Sequence, residues 1–344
     1  MNRQDWPLGI EPGQKVVIDL FQPRDAPGVA ALFNAVYGKD YPVKVYYDPE
    51  LLARENAARR IISSVARTTR GEVVGHISLF NSAPHPKLFE LGAGGVLPTY
   101  RNTAKLLTRM MVHGPQVAAE RFGLEVVFGD PVCTHVYSQK ICHGLGWTTH
   151  AFEVDLMPAN LYDQASDPDS RVSATMDFKT VVPNPHDVYL PAVYEDALSF
   201  LYEGLDDARQ LKVSEQTVPA GLATRLESKL YPFSQLARLA VWEAGEDLSE
   251  ALAKEEDAAA RQGVRVIQVW LQLSRPWVGQ AVTMLRERGY FLGGLLPRWF
   301  DRDGLLMQRM GHHPHWDGIT LEYDRAKALL SLVQEDWGQV IQRR

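Results

Sequence analysis

One stretch of the sequence constrains the fold more than any other. Residues 90–111 read ELGAGGVLPTYRNTAKLLTRMM, a glycine-rich apolar run that turns at Pro98, passes Arg101 and continues as a helical pattern. A strand, a basic turn and a helix start together form a place to hold phosphate, because the first amides of a helix have no partner within it. Such turns are usually rich in glycine, and RNTAK is not. Two alternatives follow: a working phosphate site, or a helix start that meets only water.

The composition bounds the class of protein. The 344 residues favour two domains, and the 45% hydrophobic and 23% charged fractions are typical of a globular chain. A net charge of -6 argues against a nucleic-acid-binding surface. The sequence has neither a membrane-spanning apolar run nor a signal-peptide core, and its two cysteines are too few for a disulfide framework. We therefore expect a reduced, cytoplasmic enzyme with no membrane and no nucleic-acid partner.

Hydrophobic periodicity predicts the elements of the first half. Residues 15–23 alternate as in a strand, and Asp25, Pro27 and Gly38 mark the start and the end of a following helix. The complete order is strand, helix, helix, strand, strand, strand, helix, strand, helix, strand, and one more strand follows a polar break at residues 166–171. This order predicts an α/β (α+β) fold.

The second half repeats part of this plan as elements, without repeating residues. A helix, a strand and a polar helix precede a strand, a helix and a hairpin around Asp303 and Gly304, and an amphipathic helix follows near the end. The second half contains no basic turn between a strand and a helix, and its polar helix begins with acidic residues that would repel phosphate. The sequence therefore predicts one phosphate site, in the first half.

Two segments, GGVLPTYRNTAKLL and YSQKICHGLGW, resemble the GNAT superfamily of acyl-CoA-dependent N-acyltransferases, and the element order agrees over residues 15–181. Together with them, YGKDYPVKVYYDPELL and VVGHISLF resemble more narrowly a group of bacterial two-domain GNAT proteins. The resemblance implies a GNAT fold, a mixed and mostly antiparallel sheet flanked by helices, followed by a degenerate GNAT-like domain. The expected limits are 1–182 for the domain with the acyl-CoA site, 183–311 for the degenerate domain and 312–344 for a C-terminal loop and helix.

The resemblance also implies where an acyl-CoA, most simply acetyl-CoA, would bind. The pantetheine arm would lie along the strand at Gly95, Val96 and Leu97. The pyrophosphate would face backbone amides of the turn and helix start, which are those of Arg101, Asn102, Thr103, Ala104, Lys105 and Leu106.

The turn departs from the family pattern at two positions. Ala104 stands where the family has its first glycine, and Leu106 stands at its second small residue. Glycine in such a loop supplies a left-handed backbone or room for close approach. If the backbone is already helical at Ala104, only a methyl group crowds the ligand, and Leu106 can point into the core instead.

GNAT chemistry is direct attack of an amine on a thioester, which needs a base and a donor for the developing oxygen charge. The backbone amide of Val96 is the expected donor. Glu90 lies six residues earlier, so in a regular strand both side chains would share a face, unless a bulge in GAGG intervenes. We therefore predict Glu90 as the base, with an ordinary exposed strand-end glutamate as the alternative.

The general acid is less well defined by the sequence. Many GNAT enzymes use a tyrosine four residues before the helix-ending glycine, and here that position is Cys142. Tyr137, more than one turn earlier, is the other candidate if its hydroxyl reaches the same space. Cys142 is equally explained as a small buried apolar residue, and a solvated leaving thiolate needs no acid.

Aromatic residues supply the candidate acceptor pocket. Tyr41, Tyr46 and Tyr47 follow the first helix, and Trp299 lies in the second half. Each could line the pocket or simply pack. The loop GHHPHWDG at residues 311–318 is interpreted as a linker, since its adjacent histidines lack zinc-site spacing, and we expect no metal.

These features predict an enzyme, an acyl-CoA-dependent N-acetyltransferase that transfers groups other than aminoacyl to a small amine or amino-acid-like acceptor. A homodimer is one possible assembly. The alternative is a non-catalytic CoA-binding or protein-interaction module on a decayed GNAT scaffold. A ligase that uses aminoacyl-tRNA is disfavoured by the acidic charge.

Overall fold

The computed structural model describes residues 7–39, 41–101, 105–161, 169–205 and 208–342. The chain divides into two compact units, one within residues 1–129 and one within residues 130–344. This division falls earlier than the domain boundary expected after residue 182, and the three domain limits stay a prediction.

The first unit is a sheet with helices packed on it. In chain order its elements are β1 (Val16–Leu20), α1 (Ala26–Tyr37), α2 (Pro49–Ala57), β2 (Ile61–Thr68), β3 (Val73–Phe80), β4 (Leu88–Val96), α3 (Leu106–Phe122) and β5 (Val126–Gly129). The strands lie in the order β1-β2-β3-β4-β5. Neighbours are antiparallel except β4 and β5, which are parallel.

Packing of α3 on this sheet fixes where the helix begins relative to β4. β2 is buried along its whole length, and α3 turns Leu106, Met110 and Ala118 inward. Gly75 of β3 allows a close approach, because a Cβ at that position would lie 3.0 Å from Cε of Met110. The start of α3 is therefore held near the end of β4.

The second unit contains the remaining elements. They are α4 (Tyr137–Gly144), β6 (Thr148–Pro158), β7 (Arg171–Thr180), β8 (His186–Leu190), α5 (Glu195–Tyr202), β9 (Arg209–Val213), β10 (Arg225–Tyr231), β11 (Leu236–Glu243), α6 (Leu248–Arg261), β12 (Val266–Gln272), α7 (Val278–Glu287), β13 (Phe291–Leu296), β14 (Gly304–Met310) and α8 (Asp324–Gln342). One set of strands lies in the order β7-β6-β13-β14-β12-β11-β10, and β8 pairs with β9. The pairings are antiparallel except β11 with β12 and β8 with β9.

The predicted fold class and element order are confirmed. The chain is a mixed α/β protein with a mostly antiparallel sheet flanked by helices, and its first half follows the predicted order from β1 to β7. The closing order of the second half is confirmed as well, whereas β8, β9 and β10 were missed because their residues alternate only weakly in polarity. Among the described residues, no helix combines the length and the apolar character that crossing a bilayer requires.

Candidate functional site

Strands β4 and β5 separate within the first unit. They pair in parallel only at Leu88, Phe89 and Glu90 of β4, and Glu90 is opposite Phe128. β5 ends at Gly129, while β4 continues to Val96. Residues 91–96 therefore extend beyond the stretch in which the two strands pair.

A β-bulge lies in this extended part of β4. Ser78 of β3 is opposite Gly92 and His76 is opposite Gly95, so β4 advances by one residue more than β3. Ala93 has φ of 51°, in the left-handed region. A bulge bends its strand and re-aims the backbone groups that follow.

The bulge changes the relation expected between Glu90 and Val96. An extra residue between two positions reverses the alternation of faces that follows from an even spacing. The condition of a regular strand is not met, and the alternative named for this stretch, a bulge in GAGG, is present. Glu90 stays a predicted base because of another feature, its position at the last residue paired with β5.

Two side chains hold the bulge in place. The carbonyl oxygen of Ala93 accepts a hydrogen bond from Nδ1 of His76 at 3.0 Å, and the carbonyl oxygen of Gly94 accepts one from the hydroxyl of Tyr37. Burial lowers the pKa of His76 to about 4, so its imidazole is neutral at physiological pH. His76 therefore serves as a hydrogen-bonded structural group and not as a base.

The backbone amides at the end of β4 point in known directions. The N–H of Leu97 donates to the carbonyl oxygen of Val74 in β3, 2.9 Å away. Successive amides of a strand point to opposite edges. The N–H of Val96 therefore points away from β3, toward the side where β5 has ended, which is the direction that an oxyanion donor needs.

The basic turn after β4 differs from the prediction in where the helix begins. A 3-10 turn at Pro98–Tyr100 leads to Arg101, and α3 starts at Leu106 after a left-handed Lys105 with φ of 47°. The predicted donors Asn102, Thr103 and Ala104 lie outside the described residues. Lys105 itself thus has a left-handed backbone, a conformation that glycine adopts most readily.

Two cationic side chains of this turn are exposed. Arg101 and Lys105 are exposed, and Nε of Arg101 donates to the carbonyl oxygen of Val96 at 3.2 Å. Leu106 is 1% exposed, so its side chain packs in the core and not at the surface of the helix start. Unpaired amides, the helix dipole and two cations would all favour an anion at this position.

Glu90 neighbours a chain of hydroxyl groups. Its carboxylate is half-buried, and Oε1 lies 3.7 Å from where a Cβ on Gly92 would stand. Ser78 donates to the carbonyl oxygen of Gly92 at 3.4 Å, and Tyr46 in turn donates to Oγ of Ser78 at 2.7 Å. Burial raises the pKa of Tyr46, and the charge of Glu90 raises it further, so this hydroxyl stays protonated.

The predicted acceptor tyrosines gather around Phe33 of α1. Tyr46 stacks on Phe33 with a ring separation of 4.7 Å, and Tyr41 and Tyr47 meet it edge-on at 5.1 and 6.2 Å. Tyr46 is 2% exposed, whereas Tyr41 and Tyr47 are half-buried. Tyr46 therefore packs, and the other two remain able to line a surface pocket together with Tyr37.

The two predicted acids lie on α4 of the second unit. Cys142 is buried, and burial together with the charges of Asp177 and Asp130 raises the pKa of its thiol. A thiol of raised pKa is a poor proton donor, so the interpretation of Cys142 as a small packing residue is favoured. Tyr137 is 74% exposed at the first residue of the helix, next to His135.

Trp299 belongs to the core of the second unit. It is 1% exposed and packs edge-on against Trp270 at 5.0 Å and Phe178 at 6.3 Å. The alternative that Trp299 is turn packing is therefore favoured over the predicted contact with an acceptor.

Tyr37 and Ser78 are the site residues that sequence reasoning missed. Tyr37 lies four residues after Phe33 in α1, a spacing that puts both on one helical face, and this signal was available. Ser78 gives no such signal, because a serine within a buried strand has no distinctive pattern.

Comparisons with known proteins give fold likenesses only. No protein-family model matches the chain, and no curated protein matches it. Solved structures that resemble it include the ribosomal-protein-S5-alanine acetyltransferase of Vibrio fischeri, at 12% identity and a TM-score of 0.39, covering 48% of this chain and 92% of that one.

Two further solved structures are of the same kind. A proposed acetyltransferase from Salmonella typhimurium with its cofactor acetyl-CoA has 15% identity and a TM-score of 0.40, covering 50% of this chain and 96% of that one. A proposed GNAT-family acetyltransferase from Desulfovibrio desulfuricans has 14% identity and a TM-score of 0.38, covering 49% and 100%. Likeness at this level extends over about half of the chain and identifies neither its activity nor its substrate.

Proposed function

We propose that this protein is an acyl-CoA-dependent N-acyltransferase, with acetyl-CoA as the simplest donor. The observation that supports it most is the course of β4: the strand leaves β5 after Glu90, aims the amide of Val96 at the open side, and leads into a cationic turn at the start of α3. The end of β4 offers backbone amides, and the turn that follows it offers positive charge. An acyl-CoA is a ligand that needs both.

The residues present fit such a ligand. The backbone at residues 95–96 would hold the pantetheine amides, and the amide of Val96 would donate to the thioester oxygen. Arg101, Lys105 and the first amides of α3 would hold the pyrophosphate. When bound, the acyl-CoA supplies an activated acyl group, and the protein contributes orientation and a hydrogen bond at its carbonyl oxygen.

Glu90 is the proposed base for the incoming amine. It is half-buried at the fork between β4 and β5, where a carboxylate can take a proton from an ammonium group. Tyr37, Tyr41 and Tyr47 are the proposed wall of the acceptor pocket, and aromatic rings favour cations. The acceptor class is therefore a small cationic amine, which the net charge of -6 also favours.

Departure of the thiolate is proposed to occur without a protein acid. Cys142 is buried with a raised pKa, and Tyr137 faces solvent. The same observation favours the second candidate function, a CoA-binding module without catalysis. Binding of CoA without acyl transfer would distinguish this candidate from the first.

The test is release of free thiol from acetyl-CoA, followed spectroscopically, with a panel of small mono- and polyamines. The proposal predicts amine-dependent release that exceeds the rate of hydrolysis and depends on Glu90. CoA binding with no thiol release for any amine would favour the non-catalytic candidate. The absence of both CoA binding and thiol release would overturn the proposed function. A cytoplasmic location and a homodimer stay predictions. Light scattering after size-exclusion chromatography would measure whether the protein is a homodimer.

A further inference from the structure

Three potential metal ligands converge in the second unit. The carboxylate of Asp155, on β6, has its Oδ2 atom 2.8 Å from Nε2 of His312 and 2.8 Å from Nδ1 of His315. Both histidines lie in the loop between β14 and α8, 157 or more residues further along the chain. All three donor atoms lie within 4.8 Å of one another.

The backbone of Asp155 is built to aim its carboxylate at this loop. The pairing of β6 with β7 changes register between Glu153 and Met157, which is a bulge, and Asp155 within it has φ of 49°. The residue is 0% exposed, between the buried apolar residues Val154 and Leu156. A left-handed aspartate on a buried strand costs free energy, and such strain is concentrated at ligand clamps and functional sites.

We propose that Asp155, His312 and His315 form a binding site for a divalent transition-metal ion, with Zn²⁺ as the representative ion. Two imidazoles and one carboxylate are a donor set that Zn²⁺ and related ions bind, and three protein ligands leave a further position for water. His315 has 36% of its side chain exposed, so this side of the site reaches solvent.

The present distances are close to those of a metal site. Metal–ligand bonds of about 2.0–2.2 Å place tetrahedral ligand atoms about 3.3 Å apart. The contacts of 2.8 Å would widen by roughly half an ångström. Each imidazole would bind through the nitrogen that now faces Asp155 and carry its proton on the other ring nitrogen.

Neighbouring groups fix the carboxylate and limit the affinity. The N–H of Asp155 donates to Oγ of Ser173 at 2.9 Å, and the N–H of His315 donates to the Asp155 carboxylate at 3.2 Å. Arg171 is bound to the carbonyl oxygen of Asp155 at 2.8 Å. Its guanidinium is a nearby cation, so the affinity should be lower than for the same ligands without it.

The competing explanation is a hydrogen-bonded clamp that ties the loop to β6 without any metal. The two accounts differ in one measurable property, metal stoichiometry. Untagged, chelator-treated full-length protein is equilibrated with excess Zn²⁺, passed through metal-free buffer, and assayed by elemental mass spectrometry. We expect one Zn²⁺ per chain, together with a rise in melting temperature when Zn²⁺ is added.

The variants are chosen within one loop. His312→Gln with His315→Gln should lose the bound Zn²⁺ and the thermal shift. His313→Gln is the matched control, since Nδ1 of His313 lies near the carbonyl oxygen of Pro314 and its ring packs on Trp337. This control should retain both. Because His312 is largely buried, the partly exposed His315→Ala is a second variant that should lose the metal while its circular dichroism stays unchanged.

Two results would overturn the proposal. One is wild-type protein that holds no Zn²⁺ beyond the level of the double variant. The other is equal Zn²⁺ in wild type and in folded His315→Ala, which would place the ion elsewhere.

Discussion

His76 of β3 supports the bulge of β4 through the carbonyl oxygen of Ala93, which accepts a hydrogen bond from Nδ1 at 3.0 Å. Because that carbonyl can only accept, Nδ1 carries the proton, and Nε2 accepts from the hydroxyl of Ser63 at 2.9 Å. A neutral and fully buried imidazole thus joins β2, β3 and β4. The backbone that would bind an acyl-CoA depends on this contact for its shape.

Replacing His76 by glutamine should make the stability of the protein less dependent on pH. Burial lowers the pKa of His76 from 6.5 to about 4. Between these values the unfolded chain binds a proton that the folded chain does not, so stability falls as the pH falls through this window. This pH-dependent contribution of His76 to the free energy of unfolding is about 3 kcal/mol at most. Urea unfolding of both proteins at about pH 7 and about pH 4.5 measures it.

The control for this comparison is a histidine whose replacement should not change the pH dependence of stability. His135→Gln changes an exposed residue and should follow the wild type at both pH values. A His76→Gln variant with the same pH dependence as the wild type would show that the imidazole is not held neutral in the folded state.

Replacing Glu90 by glutamine should slow acyl transfer without weakening CoA binding. General-base catalysis contributes on the order of 100-fold or more to kcat. Glutamine keeps the size of the side chain and removes the base. The control is Glu120→Gln, an exposed residue of α3. Turnover that is unchanged over the whole pH range would remove this role from Glu90.

Replacing Cys142 by alanine should leave kcat within about threefold of the wild type and cost about 1 kcal/mol of stability, as a buried packing residue does. Tyr137→Phe should change neither quantity, since that hydroxyl is in solvent. Steady-state kinetics and thermal unfolding of both variants test this. A loss of kcat of about 100-fold in folded Cys142→Ala would make the thiol the general acid after all.

Replacing Asp336 by alanine should destabilise the second unit by about 3–5 kcal/mol. Its buried carboxylate accepts from Arg286, from the hydroxyl of Tyr194 at 2.7 Å and from the N–H of Leu292 at 2.7 Å. Removing it leaves the buried guanidinium of Arg286 without its anion. Denaturant unfolding compares this variant with Asp324→Ala, which removes an exposed carboxylate from the first turn of the same helix and should cost much less. Equal stability of the two variants would show that the buried contacts of Asp336 do not stabilise the second unit.

The element order could be predicted because hydrophobic periodicity is a local property. α1 shows this well: its buried residues are spaced helically, and Gly38 ends it with φ of 62°. β9 was not predicted, because nearly all of its residues are exposed and no alternation of apolar and polar residues marks it as a strand.

The details of the candidate site depend on contacts that no local pattern reveals. GAGG allows a bulge without requiring one, and the choice is made by His76 and Tyr37 from other elements. The left-handed backbone of Lys105, after which α3 begins, has no signal in the sequence either. Asp155 and His312 meet although 157 residues separate them, so spacing within the histidine loop gave no reason to expect a metal.

Reversing the charge of Arg101 should weaken CoA binding. A hydrogen bond to a charged group is worth about 2 kcal/mol, so Arg101→Glu should raise Kd about 30-fold or more. Arg121→Glu makes the same change in charge at the far end of α3, also at an exposed residue, and should have little effect. An unaltered Kd in Arg101→Glu would place the cofactor elsewhere.

The most direct test of the central claim is a calorimetric titration of the wild-type protein with acetyl-CoA, with desulfo-CoA as the non-reactive control. The account predicts saturable binding of both ligands in the micromolar range, since the turn and the start of α3 hold the pyrophosphate that they share. No heat and no thermal shift at millimolar CoA would contradict it, and would mean that β4 and α3 keep the outline of the site without its ligand.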